Sequence, residues 1–203
     1  MIEKITSKIA PGPTPSFNEA QVVKALEIID TGIVGRTRLS QELGLGEGVI
    51  RTLLGHMKKE GIIEISRQGI ALTEYGEKLF SSLRSKISIG IEVPDSPLTV
   101  GPFNIAVLAR DVAHKVKKGV EQRDTAIKVG ALGATTLIFT GNKLTMPPSE
   151  EDAFRDNPFI YNMLVSKFDP KENDVIIIGS GENKAKAEVG AKMAAFELLR
   201  NKT

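Results

Sequence analysis

The run from Thr37 to Gly76, TRLSQELGLGEGVIRTLLGHMKKEGIIEISRQGIALTEYG, constrains the chain more tightly than any other stretch. Its opening residues predict a short helix over 37–43, with Thr37 as N-cap and Gly44 as the stop. Gly44-Leu45-Gly46 then turns the chain into a second helix over 47–59. Ile50, Leu53, Leu54 and Met57 recur there at i, i+3, i+4 and i+7, which puts them on one buried face. The opposite face offers Gly48, Arg51, Thr52, Gly55 and Lys59, all small or cationic. Gly61 ends that helix. Residues 62–66, a tight turn at Arg67-Gln68-Gly69 and residues 70–72 predict a hairpin. Thr73 caps the helix that follows.

Helix, turn, helix and hairpin in this order describe a winged helix-turn-helix. The run Met57-Lys58-Lys59-Glu60-Gly61-Ile62-Ile63, with Arg67-Gln68-Gly69 and Leu72-Thr73-Glu74-Tyr75-Gly76, resembles the winged-helix transcription regulators. In that superfamily a recognition helix ends in a basic-acidic-Gly step, a wing follows, and L-T-x-x-G opens the next helix. The resemblance spans about the first 86 residues and is more specific for the fold than for DNA over a protein partner. The whole chain also resembles archaeal winged-helix proteins with a C-terminal α/β domain.

The resemblance implies that residues 47–59 lie in the major groove, N-terminal half against base edges. Arg51 and Thr52 then stand where bases are read, while Gly48 and Gly55 allow the helix to approach closely. Arg36, Arg38, Lys58, Lys59 and the wing residue Arg67 are the phosphate-contact candidates. The expected partner is double-stranded DNA, bound by a homodimer. The competing readings are a merely solvated charged face and a winged helix that docks a protein.

Charge bears on that choice. The net charge is +2, and the basic residues are spread along the chain: 12 cations against 10 anions up to Lys86, then 15 against 15. DNA binding must therefore rest on a local patch. Cysteine is absent, which excludes disulfides and thiolate metal sites. No apolar run approaches a membrane span and no signal-peptide core is present, so a cytoplasmic protein without membrane contact is expected.

Before the winged helix, Pro11, Pro13 and Pro15 predict an extended arm or turn. Ser16 or Asn18 caps a helix whose apolar stripe is Val22, Val23, Leu26, Ile29 and Ile33. After it, a helix over 74–86 carries Tyr75, Leu79, Phe80 and Leu83, the kind of helix that builds dimer interfaces in related regulators. The expected division is a DNA-binding domain over 1–86, a linker with one strand over 87–101 and an α/β domain over 102–203.

The second domain reads as strand 103–109, a mostly helical stretch 111–129 that Gly119 can break into two pieces, strand 135–139, a Gly141-Asn142 hairpin turn, strand 143–146, a helical stretch interrupted at Pro158, strand 174–178 and helix 183–200. The order β-α-β-β-α-β matches a ferredoxin-like α/β sandwich, making the whole chain α+β. By topology alone it resembles the sensor domains of amino-acid-responsive regulators. Two constellations there suggest a small anionic effector. Gly179, Ser180 and Gly181 form a glycine turn between strand and helix whose free N–H groups would suit an anion; a plain tight connection is the alternative. Arg123 is a candidate to hold an anionic group while Glu121 or Asp124 reads an amine or hydroxyl; a salt-bridged surface helix is the alternative. With no nucleophile motif, Walker A loop or histidine-carboxylate set, an enzyme is not expected, and neither is a cofactor or a metal. A winged helix fused to a small enzyme domain is the rival architecture.

Overall fold

Asn18 starts the first long helix through a reciprocal cap: its side-chain oxygen accepts from Gln21 N at 3.1 Å, and the Gln21 side chain accepts from Asn18 N at 3.0 Å. The computed structural model describes residues 2–6 and 16–200, so the proline arm over 11–15 lies outside the described residues. Two compact units divide the chain, Met1–Leu83 and Arg84–Thr203.

In the first unit, helices α1 (Ile2–Thr6), α2 (Glu19–Asp30), α3 (Arg36–Leu43) and α4 (Glu47–Lys59) precede hairpin strands β1 (Ile63–Ile65) and β2 (Ile70–Leu72), then helix α5 (Glu74–Arg84). The apolar stripes meet in one core: Val22, Leu26 and Ile29 from α2, Leu39 and Leu43 from α3, and Ile50, Leu53, Leu54 and Met57 from α4 are all buried. Each such side chain contributes about 1.5–3 kcal/mol through burial. Ile33 departs from the expected stripe and is 56% exposed, because α2 stops at Asp30. Thr37 is not an N-cap. Gly35 holds that position, and Val34 just before it makes an isolated antiparallel bridge to Ile70 of the wing. Gly44 ends α3 with φ 63°, as its sequence position required. Thr73 Oγ1 accepts from Gly76 N at 3.0 Å and donates to Gly61 O at 2.6 Å, so one hydroxyl caps α5 and ties it to the end of α4.

The second unit is a five-stranded antiparallel sheet with helices on both faces. Its elements are β3 (Ile91–Glu92), β4 (Phe103–Ala109), α6 (Val120–Lys128), β5 (Gly133–Thr140), β6 (Lys143–Thr145), α7 (Pro158–Phe168), β7 (Val175–Gly181) and α8 (Lys184–Arg200). The strand order is β3-β4-β7-β5-β6. The mixed α+β architecture stands, with one correction to the expected ferredoxin-like sandwich. β4 and β5 flank one strand antiparallel to both, as the two strands of a split β-α-β unit do. The strand between them is the last of the chain, not the hairpin strand after β5. Composition explains the swap: Val175-Ile176-Ile177-Ile178 is fully buried on both faces, whereas β6 is three residues long and begins with exposed Lys143.

Alternation along the strands sorts the two layers. Ala106, Leu108, Leu137, Phe139, Ile176 and Ile178 face Ile160, Leu164 and Phe168 of α7. The other face of β7 carries Gly179 and Gly181 under α8. Residues 111–119 hold only a single 3-10 turn at Ala113–Lys115, not the expected helix. Val112 N and Ala113 N both donate to Asn173 O, which removes them from any local helical pattern. Residues 87–101, expected as a linker with one strand, give β3 to the sheet edge, where Ile91 pairs with Ala106. Asp174 ties the ends together: its buried carboxylate accepts from Arg110 Nη1 at 2.7 Å, Lys171 N at 2.8 Å and Asp111 N at 2.9 Å.

Candidate nucleic-acid interface

Burial of Ile50, Leu53, Leu54 and Met57 turns the other side of α4 outward, so Gly48, Arg51, Thr52, Gly55, Lys58 and Lys59 are all exposed. Two glycines in the helix, Gly48 in its first turn and Gly55 further along, cost up to ~1 kcal/mol each relative to alanine. Nothing inside the molecule requires either: a Cβ at Gly48 or at Gly55 would meet no atom within 4 Å. Their cost is unexplained by packing and fits a surface that something else approaches closely.

Beside this face the wing closes a cleft of about 570 Å³. Three arginines from separate elements line it: Arg36 from the start of α3, Arg51 from α4 and Arg67 from the wing turn. Its floor is apolar, formed by Leu54, Ile65 and Ile70, and Gly55 opens its wall. Arg36 and Arg51 also border a smaller recess of about 180 Å³, with Thr37 and Glu47. α3 has no side-chain cap at Gly35, and Gly35 itself lines the same cleft. Gly35 was missed in the sequence, because only the long-range pairing of Val34 with Ile70 shows where α3 begins.

The remaining sequence candidates lie around this cleft rather than in it. Arg38 is exposed and paired with Glu42 at 2.6 Å. Thr52 Oγ1 donates to Gly48 O at 3.1 Å, a bond that turning outward would release. Lys58 and Lys59 sit exposed in the last turn of α4. His56 is tied inward, its Nδ1 donating to Ile5 O at 2.7 Å with the ring edge-on to Phe17.

Wing position depends on Gly69. Its φ is 141°, and a Cβ there would stand 2.6 Å from Ile33 Cγ2 and 2.8 Å from Val34 O. Gly69→Val is therefore expected to push the wing from Val34, breaking the Ile70 N to Val34 O bond of 2.9 Å and separating Arg67 from Arg51. DNA affinity should fall about tenfold or more, a loss near 1.4 kcal/mol, while circular dichroism still reports a folded protein. Unchanged affinity in a folded variant would remove the wing from the interface.

The effector candidates do not assemble. Gly179, Ser180 and Gly181 belong to β7 rather than to a loop. A Cβ at Gly179 would lie 2.3 Å from Ala187 O, and one at Gly181 2.6 Å from Ala187 N, so both glycines exist to let α8 lie against the strand. Ser180 is buried, donating to Asn104 Oδ1 at 2.6 Å and accepting from Val100 N at 3.2 Å. The anion turn is thus filled by the protein itself. Glu121, Arg123 and Asp124 lie on the outward face of α6, where Arg123 Nη2 pairs with Asp124 at 3.0 Å. Among the described residues no histidine-carboxylate group suits a metal, and no helix is long and apolar enough to cross a membrane.

Comparison with known proteins follows this division. Residues 21–87 match the model of the CggR N-terminal DNA binding domain. Residues 100–198 match a domain of unknown function, DUF4443. A hypothetical protein from Pyrococcus horikoshii OT3 has a similar structure, with a TM-score of 0.74 and 28% identity over 90% of this chain and 93% of that one. No curated protein matches the chain. The chain is thus similar to an archaeal protein over nearly its whole length, and its first unit to a DNA-binding module.

Proposed function

We propose that the protein is a transcription regulator that binds double-stranded DNA as a homodimer, using α4 and the wing of each subunit. The carrying observation is the convergence of Arg36, Arg51 and Arg67 on one cleft beside a helix face kept open by Gly48 and Gly55. Guanidinium groups suit phosphate because their planar fork can donate two bonds at once. Arg51 is the base-reading candidate, since it projects from the N-terminal half of α4. Arg36, Arg38, Arg67, Lys58 and Lys59 are the phosphate contacts, and Thr52 reads bases once released from Gly48. The near-balanced net charge suits this arrangement, because a local patch favours chosen sites over indiscriminate binding. With the glycines of β7 closed by α8, our reading gives the second unit the role of association. A cytoplasmic location follows from the DNA partner.

Salt titration tests the reading. If about five cations per subunit neutralise phosphates, the plot of log K against log salt has a slope of about −4.5 per subunit. Fluorescence anisotropy with the chain's own upstream DNA and with random duplexes, between 50 and 200 mM salt as roughly spaced steps, would give both slope and discrimination. A slope near zero would instead favour the apolar floor of Leu54, Ile65 and Ile70 as a protein-docking groove.

A further inference from the structure

Helix α4 opens with a carboxylate in the middle of a basic surface. Glu47 is exposed in its first turn, and Arg51 stands one turn further along, also exposed. Residues at i and i+4 are neighbours on a helix, and acid before base is the favourable order for an ion pair. That spacing is closed in α5, where Lys78 Nζ meets Glu74 at 2.6 Å, and in α8, where Lys192 Nζ meets Glu188 at 2.7 Å. Glu47 and Arg51 leave it open: among the described residues no hydrogen bond or ion pair joins them. Arg36 from α3 adds a third charge, and all three side chains border the recess of about 180 Å³. One carboxylate and two guanidinium groups thus meet at one small concave space without neutralising one another.

A carboxylate at this place works against phosphate, because like charges repel. What it can use there is a hydrogen-bond donor. In the major groove guanine presents N7 and O6, and thymine O4, all of them acceptors. Adenine sets its N6 donor beside the N7 acceptor, whereas cytosine presents the N4 donor alone. We infer that Glu47 is a specificity-determining residue, accepting from N4 of a cytosine close to the guanine that Arg51 reads. The first residues of a recognition helix are the ones that meet base edges. Four residues advance about 6 Å along a helix axis, against a base rise of about 3.4 Å, so the two contacts fall within about two base steps. Much of the discrimination is rejection, since every other base turns an acceptor toward the carboxylate. The inference rests on the DNA reading of α4 given above. An acid in the first turn also favours the helix dipole without any partner, and the two roles part in experiment.

Selection by the full chain from a pool of random duplexes, followed by anisotropy on the four duplexes that differ at one base pair, tests it. The wild type should select a guanine that Arg51→Ala no longer requires, with a cytosine within about two steps of it. Glu47→Ala should keep the guanine and lose a cytosine preference of about tenfold or more. It should also bind random duplexes more tightly, since a negative charge has left the phosphate-facing surface. Glu47→Gln should exchange cytosine for adenine, because an amide pairs with both N6 and N7 of that base. A carboxylate that only steadies the first turn of α4 would, when removed, lower the melting temperature and weaken every sequence alike, and that result would overturn the assignment. So would a wild type that selects no cytosine near the Arg51 guanine, or variants that both keep the wild-type preference. Sequence-specific binding with unmoved preferences removes Glu47 alone, whereas a wild type that binds no duplex at low salt removes the DNA reading and Glu47's part with it.

Discussion

Gly179→Val should unfold the second unit, or leave it only marginally stable. Valine's Cβ would stand 2.3 Å from Ala187 O, 2.6 Å from Ala191 N and 3.0 Å from Ala191 Cβ. The first two of these are backbone atoms of α8, which cannot swing aside as a side-chain tip does. The helix would have to lift bodily from β7, and β7 is the central strand on which α8 chiefly packs. Ordinary overpacking costs about 1–3 kcal/mol. Here a whole helix–sheet contact is lost as well, so the cost approaches the total stability of a domain, about 5–15 kcal/mol. Urea melts followed by circular dichroism should show the transition of the second unit gone or at much lower denaturant. Gly179→Ala carries the same Cβ and should also destabilise, though less. If the alanine variant melted like the wild type, the close approach of α8 to β7 would be wrong and the anion-turn reading of Gly179 would reopen.

Arg51→Ala should produce the largest single loss of DNA affinity. Arg51 borders both the wing cleft and the smaller recess, so no other basic side chain except Arg36 is as central to the concave surface. A bidentate contact to a base is worth about 1–3 kcal/mol of discrimination. Affinity for the preferred site should fall accordingly, while random duplexes lose much less. Arg67→Ala should behave differently, weakening all sequences alike and reducing the salt slope by about one. Both side chains are exposed, so neither change should alter the melting curve appreciably. Equal losses on specific and random DNA for Arg51→Ala would demote Arg51 to a phosphate contact.

What was legible in the sequence was what short-range physics decides. Ile50, Leu53, Leu54 and Met57 fixed the orientation of α4, and the long Phe103–Ala109 strand is as its apolar run required. Gly141 and Asn142, both at positive φ, made the expected hairpin turn. What was missed depended on distant partners. The start of α3 at Arg36 follows from Val34 pairing with Ile70, and the loss of helix over 111–119 follows in part from Asn173 taking two N–H groups. The glycines of β7 are the instructive case. A glycine that frees an N–H for a ligand and one that admits a helix look alike in sequence. The distinguishing signal lay downstream, in Ala187 and Ala191, small residues that lie against the two glycines and let α8 pack close. At the proposed DNA-facing surface the candidates were legible as residue types. Only the fold shows that Arg36, Arg51 and Arg67 share one cleft whereas Arg38 turns to Glu42.

The position of β7 sets a timetable for synthesis. The first unit is closed by contacts within Met1–Leu83, so it can finish folding while the ribosome is still making the second. In the second unit β4 and β5 leave the ribosome with a one-strand gap between them. That gap stays open until residues 175–181 emerge, and α8 must follow before that face is covered. From the completion of β5 at residue 140 until β7 emerges, this unit therefore exposes two unpaired strand edges, facing each other across the missing strand. A nascent chain stalled before residue 175 would carry a complete winged helix tethered to an aggregation-prone half-sheet.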